Sequence, residues 1–220
     1  MVDSLVPNLV DVNSNDALVK VPNIEEVYQI VLGMDSNSAA RSDGFGGIFY
    51  KVCWDIIKAN LYMAVQWFFP GHQLPTSWTS TLVVTIPKVD CSKTFEDLRS
   101  ISLCNFSVKI LLRIISNRLA LLLPSLISLE HSGFTQFRSI TDNVMLQKLP
   151  SKVRGDNVVL KLDLAKAYDR VPWLFITKVL RKFGFGERFI DLVWRIISNC
   201  WYLIIINGQR EDFFSIISWS

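Results

Sequence analysis

The stretch from Asp156 to Leu164 (DNVVLKLDL) constrains the fold most. It reads as a β-strand, because side chains along an extended chain alternate between two faces. Val158, Leu160 and Leu162 fall on one face; Val159, Lys161 and Asp163 fall on the other. A wholly apolar face has to be covered, so the strand predicts a sheet with helices packed against it. The opposite face delivers Asp163 to the strand's end, where Leu164-Ala165-Lys166-Ala167 leads to Tyr168 and Asp169. A carboxylate there, beside a tight turn and a backbone carbonyl, suits a hard divalent cation such as Mg²⁺. It equally suits the start of a turn or a helix cap, and the strand alone does not choose between them.

Elsewhere the hydrophobic period switches between helix and strand. Pro22-Asn23 followed by Glu25-Glu26 starts a helix with Val27, Ile30, Val31 and Met34 as its apolar stripe. One long helix is expected over 48–69, ended by Pro70-Gly71, with Phe49, Val52, Cys53, Ile56, Ile57, Leu61 and Val65 inward. Thr79–Ile86 reads as a strand stopped by Pro87, and Arg99–Leu103 as its partner across a turn. Asn105 can cap a helix over 107–123, and residues 139–153 look helical until Pro150. Helices over 173–183 and 187–199 flank Gly184-Phe185-Gly186. Trp201–Ile206 is a further strand, and Asn207-Gly208 signals a hairpin. The expected fold class is α+β, mixed helices with a small antiparallel sheet. Residues 1–20, polar and without period, read as a loose acidic leader.

Composition removes several classes. Half of the 220 residues are hydrophobic and 20% are charged, which excludes a mainly disordered chain. Cys53, Cys91, Cys104 and Cys200 form no Cys-x-x-Cys pair, the pattern of reduced thiols in an intracellular protein. His72 and His131 are isolated from each other and from every cysteine, so no zinc site is expected. The start of the chain lacks a signal peptide's basic and apolar regions. The most apolar stretch, 110–127, is broken by Arg113, Asn117, Arg118 and Pro124, so no membrane association is expected. Residues 1–40 hold one lysine against six acids, a net of −5, whereas 41–220 hold 22 bases and 14 acids, a net of +8. A basic body is compatible with a polyanionic partner.

Lys161–Trp173 (KLDLAKAYDRVPW) resembles the first catalytic motif of reverse transcriptases of non-LTR, LINE-type retrotransposons, most closely plant-type elements. The resemblance runs through blocks in the family's order over about residues 22–214. They include Asp43-Gly44-Phe45, Ile86-Pro87-Lys88, Asp97–Phe106 (DLRSISLCNF), Asn117-Arg118-Leu119 and Ser132-Gly133-Phe134. Arg138-Ser139-Ile140, Asp142-Asn143, Arg181–Phe185 (RKFGF) and Ile206-Asn207-Gly208-Gln209 complete them. The resemblance implies the fingers and a partial palm of a right-hand polymerase. Fingers-like helices with a β-hairpin would occupy 21–155, and the partial palm 156–214. It also implies an RNA template, a DNA primer and deoxynucleoside triphosphates as partners, and a nuclear site of action for a retroelement protein.

Residue by residue, the resemblance makes Asp163 the metal-binding catalytic aspartate, with the Leu164 carbonyl as its companion in a two-ion Mg²⁺ (or Mn²⁺) site. Tyr168 matches the aromatic under the sugar of the incoming nucleotide, where a flat ring would reject a 2′-hydroxyl. Lys88 and Arg99 match the basic pair that grips the triphosphate; read without the family, they are ordinary solvated charges. Arginine suits a bidentate phosphate contact and lysine a point-charge one.

The family's later motif carries two consecutive aspartates, and no Asp-Asp occurs in these 220 residues. The chain instead ends Phe213-Phe214-Ser215-Ile216-Ile217-Ser218-Trp219-Ser220, with 215–220 read as an aberrant tail. Smaller departures include Ala40-Arg41-Ser42 for Pro-Gly-Pro, Ser100 for a proline, His131 for a glutamine and Phe137 for a glycine. Two divalent ions about 3.5–4 Å apart need several anionic oxygens between them. The expectation is an incomplete polymerase, inactive alone, and Trp201–Ile206 left as an open sheet edge. Its alternatives are a non-catalytic remnant that still binds RNA or an RNA–DNA hybrid, an unstable product, and an enzyme completed by a chain carrying Asp-Asp.

Overall fold

The computed structural model describes residues 7–36, 43–91, 94–128, 131, 171–206, 209–210 and 214–215. The strand expected at Asp156–Leu164 and the helix expected over 139–153 lie outside them.

The first helix is one the sequence reading missed. Residues 1–20 are not a loose leader throughout, because α1 runs Val12–Val19. Asp11 caps it, accepting the Ser14 N–H at 2.6 Å, and that bond holds the Asp11 carboxyl below the usual range. Leu18 and Val19 are buried, and burial rather than intrinsic propensity makes so short a helix stable. α2 (Ile24–Gly33) begins as expected, with the Asn23 side chain accepting from Glu26 N–H and two glutamates in its first turn. Its Val27, Ile30 and Val31 are buried.

The single helix expected over 48–69 is two, α3 (Gly47–Val52) and α4 (Trp54–Phe68). The backbone leaves helical geometry at Cys53 (φ −91°, ψ 14°), which resets the phase of the stripe. Tyr50, Leu61, Val65 and Phe68 are buried, whereas Val52 and Ile56 are 75% and 80% exposed. α5 (Thr76–Thr79) leads into β1 (Ser80–Pro87); a 3₁₀ turn at Phe95–Asp97 leads into β2 (Leu98–Cys104). α6 (Phe106–Ala120) follows, then α7 (Leu123–Leu126), α8 (Trp173–Phe183) and α9 (Glu187–Ser198). β3 (Trp201–Ile206), β4 (Gln209–Arg210) and β5 (Phe214–Ser215) close the described chain.

The sheet order is β2-β1-β3-β4, with β5 also on β3. It is mixed, not wholly antiparallel: β1 and β2 form an antiparallel hairpin, but β1 and β3 run parallel from Ser80↔Trp201 to Val83↔Ile204. A parallel pair needs a long crossover and leaves no local turn signal, so period alone could not reveal it. Nor is β3 an open edge. β5 pairs Trp201↔Ser215 and Tyr202↔Phe214, and β4 pairs Ile206↔Gln209, the register that a two-residue connection demands.

The core is helical and centred on α6, whose Phe106, Ile110, Leu111 and Ile114 are buried against α1 and α2. Asn105 precedes α6 but does not cap it with its side chain. Its amide instead donates to the Ser77 and Trp78 carbonyls at 2.7 and 3.2 Å, tying the end of β2 to α5. The Tyr50 phenol interacts with both the backbone and the side chain of Ser107 in the first turn of α6. Its ring stacks on Phe106 at 4.4 Å.

Burial, and then the nearby Asp43 charge, push the Tyr50 phenol above its ordinary value of 10.0, with Ser107 opposing. A raised folded-state pKa gives stability that is intact below about pH 10 and lost as pH rises through the folded value. Tyr50→Phe is therefore expected to cost about 1 kcal/mol at pH 7 through the lost hydrogen bond. The gap between variant and wild type should narrow above pH 10, and urea midpoints at pH 7 and 10.5 would measure both effects.

Candidate nucleotide and nucleic-acid site

The β1–β2 hairpin places two of the expected site residues. Ile86 pairs with Arg99 and Pro87 with Leu98. The Lys88 N–H donates to the Asp97 carbonyl at 2.7 Å, extending the ladder by one rung. With a period of two, Ile86, Lys88, Asp97 and Arg99 therefore share one face. Lys88 and Arg99 are diagonal neighbours on it, about 7–8 Å apart by ordinary strand geometry. Both are exposed, at the solvent end of a hairpin whose other end is buried.

The local bonding prepares this end of the hairpin. The Asp97 carboxylate accepts from both the N–H and the hydroxyl of Thr94 at 3.0 Å, closing the 3₁₀ turn. The Lys88 ammonium donates to the Glu96 carbonyl at 2.6 Å, so it lies along the turn. A single carbonyl bond to an exposed lysine is readily exchanged for a phosphate oxygen, since an ammonium has three donors. Two cations side by side, with the neighbouring Asp97 carboxylate turned to Thr94, favour an anion spread over several oxygens.

Asp163, Leu164 and Tyr168 lie outside the described residues, so the geometry of the metal half of the site is not described. Among the described residues no group of three or more His, Cys, Asp or Glu could hold a metal ion. His72 instead stacks on Trp67, ring centroids 3.8 Å apart. Among the described residues no helix is long and apolar enough to cross a membrane.

Two arginines and an asparagine position the frame, and charge counting had not singled them out. Arg118, in the Asn117-Arg118-Leu119 block, makes a two-pronged pair with Glu26 at 3.0 and 2.9 Å. It also donates to the Leu18 and Lys20 carbonyls and lies over the Phe69 ring, fastening α6 to the α1–α2 link. Arg195 is buried on α9 and donates to Asp191 and to the Phe68 and His72 carbonyls, joining α9 to the end of α4.

The Arg181–Phe185 block is the C-terminal turn of α8. Gly184 takes φ +92°, with its N–H on the Arg181 carbonyl and that of Phe185 on Leu180, so a left-handed residue ends the helix. The start of the chain is strapped across that turn. The Leu9 and Val10 N–H groups both donate to the Phe183 carbonyl at 2.9 Å. Asn15 donates to the Gly184 carbonyl at 2.8 Å and accepts from the Gly186 N–H at 2.7 Å.

The family model described as reverse transcriptase (RNA-dependent DNA polymerase) matches residues 86–217. The match begins at the β1 end that carries Lys88. A Xenopus laevis protein, the transposon TX1 uncharacterized 149 kDa protein, is 26% identical over 188 residues, 84% of this chain. The chain spans only 14% of that relative's length. Since the family match covers more than half of its 220 residues, the chain belongs to the reverse transcriptase (RNA-dependent DNA polymerase) family.

Proposed function

We propose that this chain supplies the fingers and the first part of the palm of an RNA-directed DNA polymerase from a non-LTR retroelement of plant type. In the complete enzyme, deoxynucleotides are added to a primer 3′-hydroxyl on an RNA template. The observation that carries the reading is the hairpin register, which puts Lys88 and Arg99 on one exposed face. There they bind the triphosphate of the incoming nucleotide, Arg99 by its planar fork and Lys88 as a point charge. Asp163, with the Leu164 carbonyl, holds divalent metal, which supplies charge neutralisation at the phosphates and a more acidic primer hydroxyl when bound. Tyr168 lies under the sugar and selects deoxyribose. One carboxylate does not satisfy two cations, so these 220 residues alone do not turn over, and the remaining acids come from residues outside this sequence.

The test is direct. The purified chain should bind an RNA–DNA primer–template with affinity that falls steeply as salt rises, because phosphate contacts dominate such binding. Asp163→Asn should leave that affinity unchanged. Lys88→Ala and Arg99→Ala should each weaken the binding of a fluorescent deoxynucleoside triphosphate about tenfold, the size of one charge-assisted hydrogen bond. Primer extension should be absent with the chain alone and appear when a fragment bearing the Asp-Asp block is added. Triphosphate affinity indifferent to both hairpin substitutions would sink the reading.

A further inference from the structure

A cavity of about 400 Å³, lined by neither Lys88 nor Arg99, opens between α3, α4, α5 and the start of α6. Phe45, Phe49 and Trp78 are among its walls. Phe45 and Phe49 stack on each other at 4.2 Å, 27° from parallel, and Phe45 is exposed at the mouth. The polar groups inside include Asp43 and Asn60. Asp43 is held in place by its own turn, accepting the Phe45 N–H at 3.0 Å through one carboxylate oxygen. Its charge is felt by the Tyr50 phenol, another cavity wall.

These walls select a ligand. Stacked aromatic rings favour a flat π-system, and 400 Å³ is ample for a purine. An ionised carboxylate only accepts, so it wants two adjacent donors on one edge, and it repels a phosphate. Of the four RNA bases, guanine alone presents such an edge, with its ring N1–H beside its 2-amino group. Adenine and cytosine each set an acceptor nitrogen next to a single amine, and uracil flanks one N–H with two carbonyls. The Asn60 amide, donor and acceptor at once, can meet the guanine 6-oxygen. Unpaired RNA bases are read in this way, stacked on aromatic side chains and hydrogen-bonded along their Watson–Crick edge.

We infer that this cavity takes an unpaired guanine base of single-stranded RNA, stacked on Phe45 with its Watson–Crick edge on Asp43. That the base belongs to RNA rests on the polymerase reading above; that it is guanine rests on the cavity. Fluorescence anisotropy with labelled oligouridine carrying one central guanine, inosine or adenine tests both. The guanine oligomer should bind about tenfold more tightly than the adenine one, with inosine, which lacks the 2-amino group, between them. Asp43→Asn should bring guanine and adenine within about twofold. Phe45→Ala should weaken the guanine oligomer about tenfold, the cost of one lost base stack. Both side chains are exposed, so unchanged circular-dichroism melts are expected to confirm folded variants.

Equal affinity for guanine and adenine, or a preference that survives Asp43→Asn, would overturn the assignment. If the oligomers bind in a salt-dependent way without a guanine preference, the cavity reading falls and the polymerase reading stands. If free GMP binds but no oligomer does, a polynucleotide source is overturned.

Discussion

Arg195→Met is expected to lower the unfolding free energy by about 2–3 kcal/mol, the range for losing a buried residue's charge-assisted hydrogen bonds. Arg195 is 6% exposed and lies over the Phe68 ring, 4.5 Å from its centroid. It donates to Asp191 Oδ2 at 2.7 Å, to the Phe68 carbonyl at 2.7 Å and to the His72 carbonyl at 2.8 Å. Asp191 is half exposed and can turn to water. The Phe68 carbonyl keeps the Gly71 N–H at 3.2 Å, so the His72 carbonyl is the acceptor left short, at a cost of about 1–3 kcal/mol. Methionine keeps most of the volume, so the loss reads the hydrogen bonds rather than a void. Arg195→Lys should recover only part of it, because one ammonium lacks the fork that spans three acceptors. Urea unfolding followed by far-ultraviolet circular dichroism measures both variants, and a loss below 1 kcal/mol for methionine would refute the account.

Asn105→Asp is expected to be comparably damaging at pH 7 and milder in acid. Asn105 is 2% exposed, and its amide nitrogen faces the Ser77 and Trp78 carbonyls. Aspartate of the same shape puts an acceptor against two acceptors and a charge at a nearly fully buried position, a penalty of several kcal/mol. Burial would raise the new carboxyl's pKa in the folded state. A raised folded value means that the native state holds its proton more tightly, so stability falls as pH climbs from about 4 through that value. In acid the protonated carboxyl can donate one of the two lost bonds. Asn105→Ala, with no charge to bury, should cost about 2–3 kcal/mol with no such pH dependence. Melting temperatures of both variants at pH 4.5 and pH 7 separate the two contributions; an aspartate variant indifferent to pH would contradict this account.

Both sites sit inside blocks, or beside turns, that the sequence made visible without showing what they do. α2, α8 and α9 were legible within a residue or two, because each keeps a 3.6-residue stripe and is bounded by Asn, Gly or Pro, whereas α6 stops at Ala120, three residues short of the expected 123. β1 and β3 were legible as short apolar runs rich in β-branched residues, and β2 as the partner of β1 across a turn. The break at Cys53 was not, because apolar residues at Val52 and Ile56 kept the stripe's spacing while the helix beneath changed phase. α1 was hidden by its polar Asn13, Ser14 and Asn15, although Asp11 ahead of Val12 is a capping signal that could have found it. The hairpin half of the candidate site came from the resemblance at Ile86-Pro87-Lys88 and Arg99, and the register explains why those positions belong together. The cavity beside Asp43 had no signal in period or charge, since its walls come together only when α3, α5 and α6 meet.

The strap over the α8–α9 turn sets a clock on folding. Asn15 and Gly186, joined by a hydrogen bond, stand 171 positions apart in the chain. A ribosome adding about 5–20 residues per second takes roughly 10–35 s to cover that distance. Through that interval Val10 and Leu18, both buried in the finished protein, have no α9 to pack on. Until then α1 has only α6 to lean on, and the strap itself closes late.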